Sequence, residues 1–406
     1  MTQPYAWGSH TAIAELQGRP APTAQPEAEL WMGAHPSGPS GVDRPGGRTT
    51  LAALIAADPA GELGAGVAAR FGGRLPFLLK VLAAEHSLSI QVHPSRAQAE
   101  AGFRAENERG LPLGDKSRNY ADDWPKPEIL CALTRFEILA GLRSTADAAA
   151  LLGALDVPAL GPLAAGLSRT ADPAALAEVL ATVLTWPAAG RADLVGAVTA
   201  GCQRVAAQGG AYAAACAATG RIAADHPGDL GVVASLLLRH AVLEPGTAVF
   251  MPAGGLHAYL HGTGVELLAN SDNVVRAGLT GKHVDVPELL KLVDPGAEVP
   301  VIEPRPAGGS ICRYDAPAPE FRLYRAVLGG AAERGPGGTA PGEALPGTGG
   351  PRLVLCTEGA AVLRSGPDTL PLAHGQSCFL SAADEPVRAA GPAVLFIAAC
   401  GDESAG

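Results

Sequence analysis

A chain of 406 residues exceeds what one ordinary hydrophobic core organises, so two or three domains are expected. Apolar residues make up 47% and charged residues 17%, a globular balance, and no uninterrupted apolar run approaches the ~18–20 residues of a membrane span. The net charge of −10 argues against nucleic acid as a main partner and leaves an anionic substrate in need of a local basic cluster. Seven cysteines without any C-x-x-C spacing point to neither a disulfide framework nor a thiolate zinc knuckle. The opening from Met1 to Trp7 has neither the basic nor the apolar segment of a secretory signal, so a cytoplasmic enzyme is expected.

Residues 1–143 read as short strands broken by Gly, Pro and Ser, among them 75–81 and 88–93. Residues 144–240 are rich in Ala and Leu at helical spacing. Leu176, Val179, Leu180, Val183 and Leu184 fall on one face of a helix starting near Pro173. Asp229 is placed to cap a further helix over 232–238. Strand texture returns at 241–251, 265–268 and 273–279, and a Pro-rich passage at 299–319 crosses into another unit. Short strands follow at 353–356, 361–363, 377–380 and 393–398, with a Gly/Pro-dense solvated loop over 329–351. The expected fold is mainly β with an α insertion: 1–143 with 241–298, a helical domain at 144–240, and a second β domain at 299–406.

Chemistry concentrates in four segments. In Ser87-Leu88-Ser89-Ile90-Gln91-Val92-His93-Pro94, strand alternation puts Ser89, Gln91 and His93 on one face and Ile90 and Val92 on the other. The apolar face suits a core, while the polar face projects an amide oxygen and an imidazole together, as a metal needs. Taken alone, such a pattern is more often a solvated strand face. In Trp124-Pro125-Lys126-Pro127-Glu128, Lys126 and Glu128 share a face, and the flanking prolines predict an edge or bulged strand. A Pro-Gly turn at 245–246 feeds an apolar strand whose far end turns to present His257. In 264–283, Arg276 and Lys282 stand among apolar residues, suitable for a phosphate or an enediolate oxygen. Together the segments supply two imidazoles, a carboxylate and an amide oxygen, a donor set for Zn²⁺, Mn²⁺, Fe²⁺ or Co²⁺.

The runs PYAWGSHTAI (4–13), AELWMGAHPSGPS (28–40), LPFLLKVLAAEHSLSIQVHP (75–94), KPE (126–128) and GVELLANSDNVVRAGLT (264–280) resemble the type I phosphomannose isomerases. HPGDLGVVASLLL (226–238) and LHAYL (256–260) match the same family, in order. The resemblance implies two cupin (jelly-roll) β domains with a helical insertion, one Zn²⁺ per chain, and interconversion of mannose 6-phosphate and fructose 6-phosphate through a cis-enediolate. It places Gln91, His93, Glu128 and His257 at the zinc ligands and Arg276 at the catalytic arginine. Lys80, Lys126, Glu266 and Asp272 match further active-site positions, any of which could move the proton. Lys282, with Ser89 and Trp7, is the expected substrate contact. A small sugar phosphate is the implied partner, with no nucleic acid or membrane, acting on a monomer or weak homo-oligomer.

The chain departs from the family in places. Pro125 stands where many relatives have histidine, so an acid/base role for that histidine cannot operate here. Gly281 replaces the more usual proline of GLTPK, loosening the loop that carries Lys282, and Gly255-Leu256 precede His257 where proline is common. The N-terminus reads as shorter than the family's by about one strand, which exposes an edge. Two other classes share part of the pattern. A non-catalytic cupin would not need Lys80, Lys126, Glu266 and Arg276, and a cupin Fe(II) oxygenase would not need Gln91 and the phosphate-ready cations.

Overall fold

The computed structural model describes residues 1–44, 46–329 and 342–402. Two large antiparallel sheets dominate it. In the first, of eleven strands, Thr2–Gln3, Glu29–Met32, Phe77–Ala84, His257–Ala269, Glu128–Ala132, Ala248–Met251 and Val301–Ile302 lie side by side in that order. Ile90–Val92, Phe136–Leu142, Leu238–Leu243 and Val275–Gly278 complete it. The second, of nine strands, begins at Arg305–Gly308 and centres on Arg352–Ser365 and Ala393–Ala399. Thr2–Gln3 forms the edge next to Glu29–Met32.

The alternation of Phe77–Ala84 explains the layering. Phe77, Leu79, Val81 and Ala83 face a core shared with Tyr314, Leu353 and Phe396 of the second sheet and with Phe321 beside it. Each such fully buried large side chain stabilises the fold by about 1.5–3 kcal/mol. Leu78, Lys80 and Leu82 point the other way, into a cavity. One face of the strand thus holds the sheets together and the other builds the site.

His257–Ala269 serves two layers. Its first residues pair with Phe136–Leu142, while Gly262 to Ala269 run between Phe77–Ala84 and Glu128–Ala132. The register shifts between Tyr259 and His261. Gly262 follows at φ 127°, where a Cβ would lie 2.8 Å from Arg135 O, so only glycine fits the bend.

Between the sheet strands stands a helical insertion. Ala174–Leu184 buries Leu176, Val179, Leu180 and Val183, the face that the spacing predicts. These pack in one core with Ile90 and Val92, so the apolar face of that strand meets the helices. No helix among the described residues is long and apolar enough to cross a membrane.

Several expectations change. The helix after Asp229 is a single α turn, Gly231–Ala234, extended by 3₁₀ geometry over Ser235–Leu237; Leu238 already belongs to a strand. The N-cap residue is Leu230, not Asp229, which accepts the Gly231 N–H at 2.7 Å from one residue further back, and the β pairing of Leu238 ends the helix early. Residues 241–251 are two strands divided at the Pro-Gly turn, and 353–363 lie in one continuous strand. Pro125 and Pro127 precede a central strand, not an edge, because the ladder starts only at Glu128. Val301–Ile302 still pairs with the first sheet. Of the loop expected at 329–351, residues 330–341 lie outside the described residues, and Glu343–Ala344 is a short strand.

Candidate metal centre and cavity

His93 follows the Ile90–Val92 strand and His257 opens its neighbour, so Gln91 and His257 face each other in register. His257 is therefore presented by a strand, not by a turn. Both imidazoles are buried. Each directs Nδ1 at a backbone carbonyl: His93 to Asn273 O at 2.8 Å and His257 to Gly255 O at 3.0 Å. Those contacts fix the tautomer with the proton on Nδ1, leaving each Nε2 as a lone-pair donor. The two Nε2 atoms lie 3.3 and 3.4 Å from Glu128 Oε2. The Gln91 amide nitrogen stands 3.3 Å from His257 Nε2, to whose lone pair it donates.

Neither His93 Nε2 nor Glu128 Oε2 has a hydrogen-bond partner among the described residues, although both are buried. Orphaned acceptors facing one another are costly unless a cation lies between them. Ligand atoms about 2.0–2.2 Å from a four-coordinate ion stand roughly 3.3–3.6 Å apart, matching the spacing here. The potential ligand atoms of His93, Glu128 and His257 all fall within 4.8 Å of one another. Burial pushes the His93 imidazole down to about 4, so it is neutral near pH 7. Burial works to raise Glu128, yet its charged neighbours, Lys126 among them, hold its carboxylate well below the usual range.

A row of charges crosses the floor beside this cluster. Lys80 and Glu266 are directly opposed in adjacent strands, and Lys80 Nζ lies 2.9 Å from Glu266 and 3.3 Å from Glu29. The Tyr259 hydroxyl donates to the other Glu266 oxygen at 2.7 Å. Burial alone would lower the Lys80 pKa, but Glu266, Glu29 and Glu128 outweigh it and raise it. Lys80 is thus held as a cation, and the lowered pKa that a lysine base needs is absent. Glu266 moves the other way: burial raises it, against the pull of Lys80.

Lys126 Nζ reaches Glu128 Oε1 at 3.4 Å, as their shared face predicts. Asp272 stands half exposed at the rim, 3.3 Å from His35 Nε2. Burial works to raise it, but the His35 contact and nearby lysines hold it low. Arg276 and Lys282 form no ion pair among the described residues. Burial lowers both pKa values, and each cation also sits near the other.

A cavity of about 600 Å³ joins these groups, within the ordinary range for small-molecule sites of about 300–1,000 Å³. Lys80, Gln91, Lys126, Glu128, Glu266 and Asp272 line it, as do Arg276, Lys282, Ser89 and Trp7. His93 and His257 lie beneath, at 0% and 1% exposure. All twelve candidate residues therefore gather at one place.

Sequence reasoning missed four contributors. Glu29, Tyr259 and His35 line the cavity, and Asn273 supplies the His93 contact while its amide donates to Asp122 O and Trp124 O, both at 2.8 Å. Glu29 and His35 stand within the run 28–40 and Tyr259 within 256–260, so the polar residues of those motifs were the available signal.

Comparison with known proteins follows the same lines. The family description "Phosphomannose isomerase type I, catalytic domain" matches residues 1–145. The mannose-6-phosphate isomerase of Salmonella typhimurium is 36% identical, covering 96% of this chain and 95% of its own. That of Escherichia coli has the same identity and coverage, 36%, 96% and 95%. A solved mannose 6-phosphate isomerase, described as holo and zinc bound, superposes with a TM-score of 0.86 at 34% identity, over 98% of this chain and 97% of that one.

Proposed function

The chain belongs to the type I phosphomannose isomerases, and from that premise we infer that it interconverts D-mannose 6-phosphate and D-fructose 6-phosphate through a metal-stabilised cis-enediolate. The observation that carries this reading is the pair of orphaned, buried atoms His93 Nε2 and Glu128 Oε2 beside two cations without ion-pair partners among the described residues. The donors fit one Zn²⁺ per chain, with His93, Glu128 and His257 holding it; Gln91, whose amide nitrogen faces His257, adds its oxygen with the amide turned over. Bound there, zinc supplies a Lewis acid for the sugar carbonyl and its developing oxyanion.

The protein's own groups then divide the work. Lys282 takes the phosphate, with Ser89 and Trp7 as further contacts along the cavity wall. Arg276, held in register with Gln91, places fixed positive charge where the enediolate oxygens form. Glu266 moves the proton between C1 and C2, because burial raises its pKa and the Tyr259 hydroxyl donates to it. Lys80 stays cationic and keeps that carboxyl oriented. Lys126 opposes the charge of Glu128, and the Asp272 carboxylate accepts a sugar hydroxyl at the rim.

Both sheets read as cupin-type jelly rolls. The catalytic domain is 1–143 with 241–298, the helical domain 144–240 and the second β domain 299–406. The expected setting is a cytoplasmic monomer or weak homo-oligomer with no nucleic-acid partner. The first experiment is a coupled assay with mannose 6-phosphate, following fructose 6-phosphate before chelation, after it, and after zinc return. Turnover lost on chelation and restored by zinc is expected. A folded, zinc-loaded protein that makes no fructose 6-phosphate would overturn the assignment.

A further inference from the structure

Arg276 and Lys282 are anchored differently. Arg276 lies within Val275–Gly278, paired in a ladder with Gln91. Lys282 lies four residues past that strand, exposed, on a segment without regular structure. Its fixed point is the side chain of Asp229, at the last turn of the helical insertion. One Asp229 oxygen accepts the Gly231 N–H at 2.7 Å and the other accepts the Thr280 N–H at 3.1 Å. The Thr280 hydroxyl in turn accepts the Lys282 N–H at 3.1 Å. A single carboxylate thus clamps two backbone segments, and Lys282 hangs two hydrogen bonds from it.

The clamp leaves no slack. Gly278 has φ 138°, and a Cβ on it would come 2.7 Å from the Gly231 Cα. A Cβ on Gly231 would meet the Leu279 N–H at 2.6 Å. Leu279 is buried with φ 57°, a left-handed conformation that needs surrounding contacts to persist. Beyond it lies open space: a Cβ on Gly281 would have no neighbour within 4 Å, and Gly281 donates no backbone hydrogen bond among the described residues. The backbone is therefore tightly held up to Thr280 and free of constraint just before Lys282.

We propose that Asp229 is a positioning residue for the substrate phosphate, holding the Thr280–Lys282 segment so that the ammonium meets it. This rests on the reading that Lys282 contacts the phosphate. A purely structural Asp229, closing the turn at 226–229, would affect melting but not substrate affinity.

The test uses the full-length, zinc-loaded chain with Asp229→Asn, Thr280→Ala and Lys282→Gln, with inorganic phosphate as a competitive inhibitor. Asparagine keeps one acceptor and turns a donor toward an N–H, so it breaks half the clamp. Asp229→Asn is expected to raise KM and the phosphate inhibition constant about tenfold, with kcat within about twofold and zinc content unchanged. Thr280→Ala cuts the second link without touching the insertion and shifts both constants the same way, by less. Gly281→Pro in the Asp229→Asn background recovers part of the loss by stiffening the segment. Unchanged constants in Asp229→Asn and Thr280→Ala, while Lys282→Gln raises them, overturn the proposal alone. Unchanged constants in Lys282→Gln mean that the phosphate reading has failed, and the proposal with it.

Discussion

The His257–Ala269 strand of the first sheet and the Arg352–Ser365 strand of the second do the same structural job. Each is the longest of its sheet, each shifts register partway, at Tyr259/His261 and at Cys356/Glu358, and each bends beside a glycine. Their interiors differ. The first sheet turns Lys80, Glu128, His257 and Glu266 inward, whereas the second encloses Val354, Cys356, Leu363, Leu395 and Ile397. The strand plan alone therefore creates no chemistry. Buried charge does, and it is tolerated because each group in the first sheet meets an opposite charge, a hydroxyl or a metal's place.

The comparison breaks most completely if the metal cluster is removed. His93→Ala is expected to lose zinc and at least about a thousandfold in turnover, with both sheets still folded. Metal analysis alongside the coupled assay checks it, and full activity without zinc would sink the metal assignment. Glu266→Gln comes next. It should retain zinc and lose about a hundredfold or more in kcat, with C2 proton exchange into deuterated water falling in parallel. Exchange that persists while turnover falls would move the proton-transfer role to another group.

The second sheet also buries a charge. Arg352 is fully buried, and none of its three guanidinium nitrogens has a hydrogen-bond partner among the described residues. Burial lowers its pKa, with Asp384 acting weakly against that. Arg352→Met should leave activity unchanged and stabilise the fold by about 1–3 kcal/mol, read as a higher melting temperature. A destabilised variant would mean that the guanidinium has a role in the second sheet after all.

The smallest effect is a matter of pH. Glu137, in the first sheet, meets Arg221 of the insertion and His240. Burial alone would raise its pKa, but those partners hold it at about 2, below the ordinary 4.5. A depressed carboxyl contributes stability that is complete above about pH 4.5 and lost as pH falls toward 2. Glu137→Gln should flatten the melting-temperature profile across that window and leave it parallel above. An unchanged acid slope would place the sensitivity elsewhere.

Much of this could be read from residue order. Ile90 and Val92 against Gln91 and His93 is plain alternation, and the helix from Ala174 shows its buried face in its spacing. Lys126 and Glu128 were legible as neighbours. Glu29 and Tyr259 were not, because their roles arise from strands adjacent only in space, where Lys80 meets Glu266 and Trp31. The protonation of Lys80 was hidden for the same reason: three carboxylates from three other strands decide it. Asp229 read as a helix cap, but the cap residue is Leu230, and the helix behind it was cut short by a distant pairing.

The register shift in His257–Ala269 has an evolutionary consequence. Before it, the residues on the cavity side are odd-numbered, Tyr259 at the wall and His257 beneath it; after it they are even-numbered, Glu266 and Leu268. Counting by twos from His257 would turn Glu266 toward the other sheet, where Val265 and Leu267 now pack. One extra residue thus keeps the metal ligand and the carboxyl in phase along a single strand. A substitution between these two residues leaves that phase in place, whereas a gained or lost codon there would disconnect them in one step.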